Sequence, residues 1–289
     1  MVIQHNIAAI NSYRNLSTNT ANLNKNLEKL SSGYKINRAG DDAAGLAISE
    51  SMRNKINGLD QAEANANDAI GLIQTAEGAL TETHAMLERM TTLATQAANG
   101  TYATVGNNDG AVVNRTPTES DTTARRNIAL EMDELQKEIS RIATATDYNG
   151  VRILNNSKTR RFQIGATAAE TLTVAGTKMT ASALGVSGLA KKMETVSGAN
   201  SAITAIAKAV NSVSYFRAQL GAKQNRLEHT INNLKVSNEN VTSAESRIRD
   251  TDMAKEISAY TKNNILNQAA QSMLAQANQS PQSVLQLLG

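Results

Sequence analysis

Cysteine and tryptophan are absent from the 289 residues, and only two residues are proline. Without cysteine the chain has no disulfide, no thiolate zinc ligand and no cysteine nucleophile. Aromatic residues make up 3% of the chain, which disfavours a thick core or an aromatic-walled ligand cleft, because large aromatic side chains supply much of the buried area in both. Alanine is abundant and helix-breaking proline is scarce, so very long helices are expected.

Long apolar runs are missing as well, and the mean hydropathy is −0.35. No stretch approaches the roughly 20 apolar residues that cross a bilayer, and the first residues, MVIQHN, lack the basic and apolar regions of a Sec signal peptide. The net charge of +3 is a small excess for so long a chain, although the isoelectric point is near 9.0. We therefore expect neither a membrane nor a nucleic acid as a partner.

Apolar residues recur every seven positions in two long segments, which places them on one stripe of a helix. Each segment predicts a helix of about 45 residues and about 65 Å. We expect the two helices to pack against each other within the chain as a coiled coil. The first stripe is Met52, Leu59, Ala66, Ile73, Leu80, Leu87 and Ala94, and the second is Ile206, Val213, Leu220, Leu227, Leu234, Val241 and Ile248. A shorter third stripe is Ile128, Met132, Leu135, Ile139 and Ile142.

About 40 residues at either end carry thinner apolar stripes on helices rich in Asn, Gln, Ser and Thr. Such helices bury too little apolar area to be stable alone, so we expect them to form against partners and their stripes to be covered between subunits. The expected contact residues at the N-terminal end are Ile7, Ile10, Leu16, Leu23, Leu27 and Leu30. Those at the C-terminal end are Ile257, Tyr260, Leu266 and Met273.

The middle of the chain changes character. Residues 102–121 have no periodicity and predict a loop, and the sequence DYNG at residues 147–150 is a strong turn signal. Residues 162–164 and 171–174 alternate as short strands, within a small β-containing region that extends to about residue 200. The predicted fold is mostly α, with long helices running out to a small β-hairpin and back as an antiparallel hairpin.

Reactive motifs are few, and none forms an active site or a cofactor site. His84 lies on a half-buried helix face and is interpreted as a packed residue. Asp41 and Asp42 precede a helical segment and are interpreted as an N-cap with a first-turn acid. The basic cluster at residues 158–161 is either a solvated surface or a contact for a phosphate or partner. We expect no enzymatic activity.

Four strings, in order along the chain, resemble bacterial flagellin. They are LSSGYKINRAGDDAAGLAI at residues 30–48, DYNG at 147–150 followed by FQIGA at 162–166, RIRDTDMAKE at 247–256, and QANQSPQSVLQLL at 276–288. The resemblance implies an inner domain of paired terminal helices that lines the filament core, at residues 1–40 and 252–289. It also implies a rod-shaped helical domain at 41–165 and 201–251, and a short variable outer insert at 166–200.

The resemblance further implies a function. Flagellins polymerise into the extracellular filament used for swimming, after export by the flagellar type III route, and their partners are the filament cap, the hook junction and an export chaperone at the C-terminal helix. In the family, Toll-like receptor 5 contacts a rod-helix patch that corresponds here to Arg89, Leu93 and Gln96. An apolar tail read by cytosolic immune receptors corresponds to Val284, Leu285, Leu287 and Leu288.

Two alternatives to a filament subunit remain open from the sequence. One is a hook-filament junction or another axial flagellar protein that does not itself form a filament. The other is a nucleic-acid-binding protein, which rests only on the isoelectric point and would show binding that weakens steeply with salt.

Overall fold

A computed structural model describes residues 6–99 and 119–288, with side chains over 6–99 and 125–279. In chain order these residues form α1 (Ile7–Ser32), α2 (Ala43–Ala98), α3 (Glu119–Ala145), β1 (Thr159–Gln163), β2 (Thr171–Ala175), α4 (Leu189–Lys192), α5 (Val196–Arg249) and α6 (Met253–Leu288). Helices α2 and α5 have 56 and 54 residues, about 80 Å each. The prediction of a mostly helical chain with a small β-hairpin is confirmed.

The chain divides into two compact units. One consists of the residues up to 57 together with those from 237 onward, and the other of residues 58–236. We call them the terminal unit and the central unit. The sequence placed its domain boundaries at 40/41 and 251/252, near the ends of α1 and α6, whereas the units divide within α2 and α5. The division into inner and rod domains stays a prediction.

The central unit is built around the two heptad stripes. Helices α2 and α5 are antiparallel here, because Glu63 of α2 pairs with Lys235 of α5 at 3.5 Å and Glu77 with Arg217 at 3.6 Å. Nine of the predicted rod-core residues are buried: Leu59, Ile73, Leu80, Leu87, Ile206, Val213, Leu220, Leu227 and Leu234. The last two predicted core residues differ, since Val241 and Ile248 are only half-buried and lie in the terminal unit.

The β-hairpin lies on the central unit. Strands β1 and β2 pair antiparallel, with Phe162 opposite Leu172. Ahead of them the DYNG string makes a tight turn: Asn149 and Gly150 have φ of 49° and 75°, as a two-residue hairpin turn requires. The Gly150 amide donates to Asp147 Oδ2 at 2.9 Å. The turn prediction is therefore confirmed.

The segment between the hairpin and α5 is not a separate module. Met179, Val186, Leu189 and Met193 are buried in the same apolar cluster as α2, α3 and α5. These four side chains complete the core of the central unit, and the assignment of residues 166–200 as a variable outer insert stays a prediction. The pattern did not reveal this because single apolar residues among Gly, Ser and Thr have no period.

Helix α3 adds a third helix to the central unit. Its Glu131 accepts from Arg89 Nε of α2 at 2.7 Å, and the short stripe predicted for it includes the buried Met132 and Ile139. Helix α3 begins at Glu119, within the predicted loop at 102–121, and residues 102–118 lie outside the described part of the chain. Among the described helices none is long and apolar enough to cross a membrane.

Candidate assembly surface

Helices α1 and α6 pack against each other in the terminal unit. Asn6 caps α1 by accepting from the Ala9 amide at 3.0 Å, and Gly33 ends it with φ of 75°, where its amide donates to the Lys29 carbonyl. Bonds from Asn6 to Ala277 and from Asn19 to Leu266 show that residue numbers rise along α1 as they fall along α6. The two terminal helices are therefore an antiparallel pair within one chain.

Buried amides lie in the contact between α1 and α6, on the same face of α1 as the half-buried Leu16, Leu23 and Leu30. Asn267 is 8% exposed, donates to Thr20 Oγ1 at 2.8 Å and accepts from Gln271 Nε2 at 3.0 Å. Asn26 is equally buried, and its Nδ2 has no hydrogen-bond partner among the described residues. A buried amide left without a partner costs about 1–3 kcal/mol. We call the residues Asn6, Asn19, Thr20, Asn26, Asn267 and Gln271 the polar seam.

Large apolar side chains lie on the outside of this pair. Ile7 and Met273 are 64% and 63% exposed. We call eight of these exposed side chains the outer face: Ile7, Ile10, Tyr13, Leu27, Ile257, Ile265, Leu266 and Met273. Full burial of such a side chain stabilises by about 1.5–3 kcal/mol, so covering what remains exposed on these eight would contribute on the order of 10 kcal/mol per subunit.

The predicted terminal contact residues divide between two environments. Six of them, Ile7, Ile10, Leu27, Ile257, Leu266 and Met273, belong to the outer face. Leu16, Leu23, Leu30 and Tyr260 are half-buried. Val284, Leu285, Leu287 and Leu288 lie in the last turns of α6, and their side chains fall outside the described part.

The first flagellin-like string forms the junction between α1 and α2. The Tyr34 ring contacts two guanidinium groups, with Arg249 Cζ 4.6 Å and Arg53 Cζ 5.9 Å from its centre. The Lys35 amide donates to the Arg249 carbonyl at 2.7 Å, and the Thr251 amide donates to the Gly33 carbonyl at 2.9 Å. The junction thus ties the end of α1 to the end of α5.

Asp42 has the N-cap role that the sequence predicts, whereas Asp41 also precedes α2 and is not the expected first-turn acid, because the first turn of α2 holds no acidic residue. Asp42 Oδ1 accepts from the Gly45 amide at 2.9 Å at the start of α2. Asp41 Oδ2 accepts from the amides of Arg38 at 3.1 Å and Asn37 at 3.3 Å. These two hydrogen bonds, of which the one from Arg38 has the larger effect, lower the pKa of Asp41 because both favour the carboxylate. The two acids hold the backbone of this junction.

The three residues of the expected receptor patch do not share one environment. Arg89 is exposed and its pKa is raised by the hydrogen bond to Glu131, and Gln96 is exposed. Leu93 is 1% exposed and belongs to the core of the central unit. Its side chain is therefore not on the surface of the central unit, and the receptor contact of this patch stays a prediction.

The remaining polar candidates show no reactive arrangement. His84 is half-buried, and its Nε2 lies 3.2 Å from Glu88 one helical turn away. Two residues of the basic cluster, Arg160 and Arg161, line a cleft of about 420 Å³ between α2 and β1, whose other walls include Asn65, Tyr148 and Phe162. Within the described residues no group of three or more His, Cys, Asp or Glu side chains is placed to hold a metal ion.

Sequence reasoning missed the polar seam. It noted that the terminal helices are rich in Asn and Gln, but not that some of these amides share one face. Asn19 and Asn26 are seven residues apart, and Asn267 and Gln271 are four apart, which are same-face spacings on a helix. A scan of the amides for the same periods as the apolar residues would have identified this face.

Comparison with known proteins gives full-length matches. The family model of the bacterial flagellin N-terminal helical region matches residues 3–159, and that of the C-terminal helical region matches 203–288. A flagellin of Bacillus subtilis (strain 168) is 48% identical over 319 aligned residues, and one of Halalkalibacterium halodurans is 49% identical over 289, each covering 100% of both chains. A solved structure from Vibrio parahaemolyticus, described as a flagellar hook-associated protein, is similar with a TM-score of 0.57 at 13% identity, covering 73% of this chain and 100% of that one. At that identity the likeness concerns the fold alone.

Proposed function

The chain belongs to the bacterial flagellin family, and we propose that its copies assemble into the filament mainly through the outer face of α1 and α6. Flagellins are structural subunits of the flagellar filament and not enzymes, and they form homopolymers. The finer proposal concerns which surfaces make the contacts. It places the α1–α6 pair in the core of the filament, where other copies surround it.

The observation that carries this proposal is the set of large apolar side chains that stay exposed on the outside of the α1–α6 pair. Inside the pair lie amides such as Asn26 and Asn267, whereas Ile7, Ile257 and Met273 face outward. Isolated exposed apolar side chains are ordinary, but a set of eight on two paired helices marks an interaction surface. Other copies of the same chain are the partners that a homopolymer supplies.

The composition also supports a route to the outside of the cell. We propose export in an unfolded state by the flagellar type III system, followed by assembly outside the cell at the filament tip. A chain without cysteine and with few bulky aromatics is compatible with passage through a narrow channel. The C-terminal helix α6 is the proposed binding segment for an export chaperone, and the hook junction and filament cap are the proposed partners at the two filament ends.

Recognition by innate immune receptors is proposed only for exposed side chains. Arg89 and Gln96 lie on the surface of α2 in the central unit. Arg89 already pairs with Glu131, so a Toll-like receptor would have to compete with that ion pair. The buried Leu93 would act indirectly, by holding α2 in place.

Seeded elongation tests the filament function. Purified monomer is added to sheared filament seeds, and growth is followed by electron microscopy together with the concentration of monomer left at the end. We expect elongation by the unmodified chain. A chain that never elongates seeds would contradict the filament function and favour the junction protein as the alternative.

A matched pair of variants tests the outer face in the same assay. Ile257→Asp places a charge on the outer face, whereas Ser258→Asp makes the same change at an exposed polar neighbour on α6. We expect Ile257→Asp to raise the remaining monomer about tenfold or more, since each tenfold step corresponds to about 1.4 kcal/mol, and Ser258→Asp to change it little. Equal effects of the two variants would argue against assembly through the apolar residues.

A further inference from the structure

Helix α6 contains one of the two prolines in the chain, Pro281. Proline has no backbone N–H, so the carbonyl four residues earlier in a helix receives no intrahelical hydrogen bond. In α6 that carbonyl belongs to Ala277. Ahead of the last turn of α6, this is the carbonyl that loses its intrahelical amide donor because of the proline.

Asn6 supplies the missing partner from the other helix. Its Nδ2 donates to the Ala277 carbonyl at 2.7 Å, while its Oδ1 accepts from the Ala9 amide at 3.0 Å. One side chain thus caps the start of α1 and satisfies the carbonyl that Pro281 leaves open. The other carbonyls in the body of a helix already accept an intrahelical hydrogen bond, so a side chain from a neighbouring helix cannot distinguish one from another. A carbonyl without that bond therefore identifies a single position along α6.

The contrast with Asn19 shows what the open carbonyl adds. Asn19 Nδ2 also reaches a backbone carbonyl of α6, that of Leu266, but at 3.4 Å. The Leu266 carbonyl faces the amide of Ala270 within the helix, as α-helical geometry dictates. The bond from Asn19 is therefore longer and goes to an acceptor that already has a partner.

We propose that Asn6, the Ala277 carbonyl and Pro281 form a clamp that fixes the register of α1 against α6. The polar seam favours pairing of α1 with α6, but it has amides at several positions along the two helices and so permits more than one register. Buried polar contacts are a known means of fixing the register between helices. The clamp selects one of these registers, because sliding α6 along α1 leaves the Ala277 carbonyl without a hydrogen-bond donor. This inference rests on the proposed function, since register sets where the outer-face residues of the two helices meet on the assembly surface.

The first experiment uses the full chain in seeded elongation and isolates the clamp from the helix cap. Asn6→Asp keeps the capping oxygen, because Asp caps helices as well as Asn, but it loses the Nδ2 donor and sets a carboxylate against the Ala277 carbonyl. We expect the monomer remaining after elongation to rise about tenfold, as for one lost hydrogen bond to a carbonyl that stays unpaired. Asn19→Asp is the matched control and should change the remaining monomer by less than about threefold.

Pro281→Ala then tests the role of the proline. The introduced alanine restores an amide partner for the Ala277 carbonyl, so Asn6→Asp in that background should cost less than about threefold instead of about tenfold, as a double-mutant cycle measures. If Asn6→Asp fails to assemble at all, recovery in the Pro281→Ala background supports the clamp. An effect of Asn6→Asp that is equal in both backgrounds, or equal to that of Asn19→Asp, overturns it.

Disulfide trapping measures the register of α1 against α6 directly. If Asn6 only stabilised the helix pair, its substitution would leave that register unchanged. The chain has no cysteine, so an introduced pair is unambiguous. Thr20→Cys with Asn267→Cys reports the register seen here, in which the two native side chains are hydrogen-bonded. Thr20→Cys with Leu274→Cys reports a slip of seven residues, because a disulfide needs Cα atoms within about 7 Å.

With Asn6 present we expect only the first disulfide, and with Asn6→Asp we expect the second to appear. A slipped disulfide that stays absent with Asn6→Asp, or that forms already with Asn6, overturns the clamp. The trapping is read with oxidised monomer as well as with filaments. Failure of the unmodified chain to elongate seeds would therefore count against the proposed function, while the trapping result would still decide the clamp.

Discussion

Leu227→Asp in α5 should destabilise the central unit severely and in a pH-dependent manner. Leu227 is 0% exposed within the apolar cluster. Truncation of such a leucine to alanine costs about 2–5 kcal/mol, and an unpaired carboxyl in the same place costs more because it has no partner to replace water. A total of about 5 kcal/mol or more is a large part of the 5–15 kcal/mol that stabilises a typical domain.

The sign of the pH dependence follows from burial. The unfolded chain titrates the new carboxyl near a pKa of about 3.9, and burial raises its pKa in the folded state. The folded state therefore binds the proton more tightly, so stability is greatest below about pH 4 and falls as the pH rises through the folded-state pKa. Leu227→Asn, which does not titrate, should show no such trend.

Thermal unfolding of the full-length monomer, followed by far-ultraviolet circular dichroism, measures both effects. For a unit of this size 1 kcal/mol shifts Tm by about 2–4 °C, so Leu227→Asp should lower Tm by at least about 10 °C at pH 7 and by less at pH 4. Leu130→Asp is the control, because Leu130 is 62% exposed on α3. A Leu227→Asp variant that melts with the control, or whose deficit is equal at both pH values, would refute the placement of Leu227 in the core.

Two further predictions concern backbone space and the terminal helix. A Cβ atom on Gly71 would lie 3.2 Å from Tyr148 Oη, whereas one on Gly78 would meet nothing within 4 Å. Gly78→Ala should therefore raise stability by up to about 1 kcal/mol through helix propensity, and Gly71→Ala should gain less or lose stability; equal melting temperatures would count against the packing of Tyr148 on α2. Deleting residues 253–289 should leave the melting of the central unit nearly unchanged but abolish seeded elongation, and filaments grown from that truncated chain would contradict the role given to α6.

The heptad stripes predicted the core well where two helices of the same chain cover each other. Leu80 and Ile206 are fully buried because their seven-residue series meet across the antiparallel pair. The same series continues to Val241 and Ile248, which are half-buried. A period identifies which face of a helix is apolar, but not where along the helix a partner covers it.

The terminal helices show a different limit of sequence reasoning. Their apolar and amide residues both recur at helical spacings, so each helix has two faces that could turn inward. The structure turns Asn26 and Asn267 inward and leaves Ile7 and Ile257 outward. Which of the two faces turns inward depends on what covers the other face. In a homopolymer the neighbouring copies provide that cover, and the sequence of one chain does not show where they contact it. Likewise, the resemblance of a short sequence segment assigns Leu93 to a receptor contact, but such a resemblance does not indicate whether the side chain is exposed.

The most direct test of assembly through the outer face is a cryo-electron microscopy map of filaments grown from this chain. The outer face should be covered, with Ile7, Ile257 and Met273 each within about 4.5 Å of apolar atoms of neighbouring copies. Asn267 should remain bonded to Thr20 of its own chain. A map in which the outer face lines open solvent, or in which Asn267 and Thr20 separate so that apolar residues meet between α1 and α6 of one chain, would contradict it.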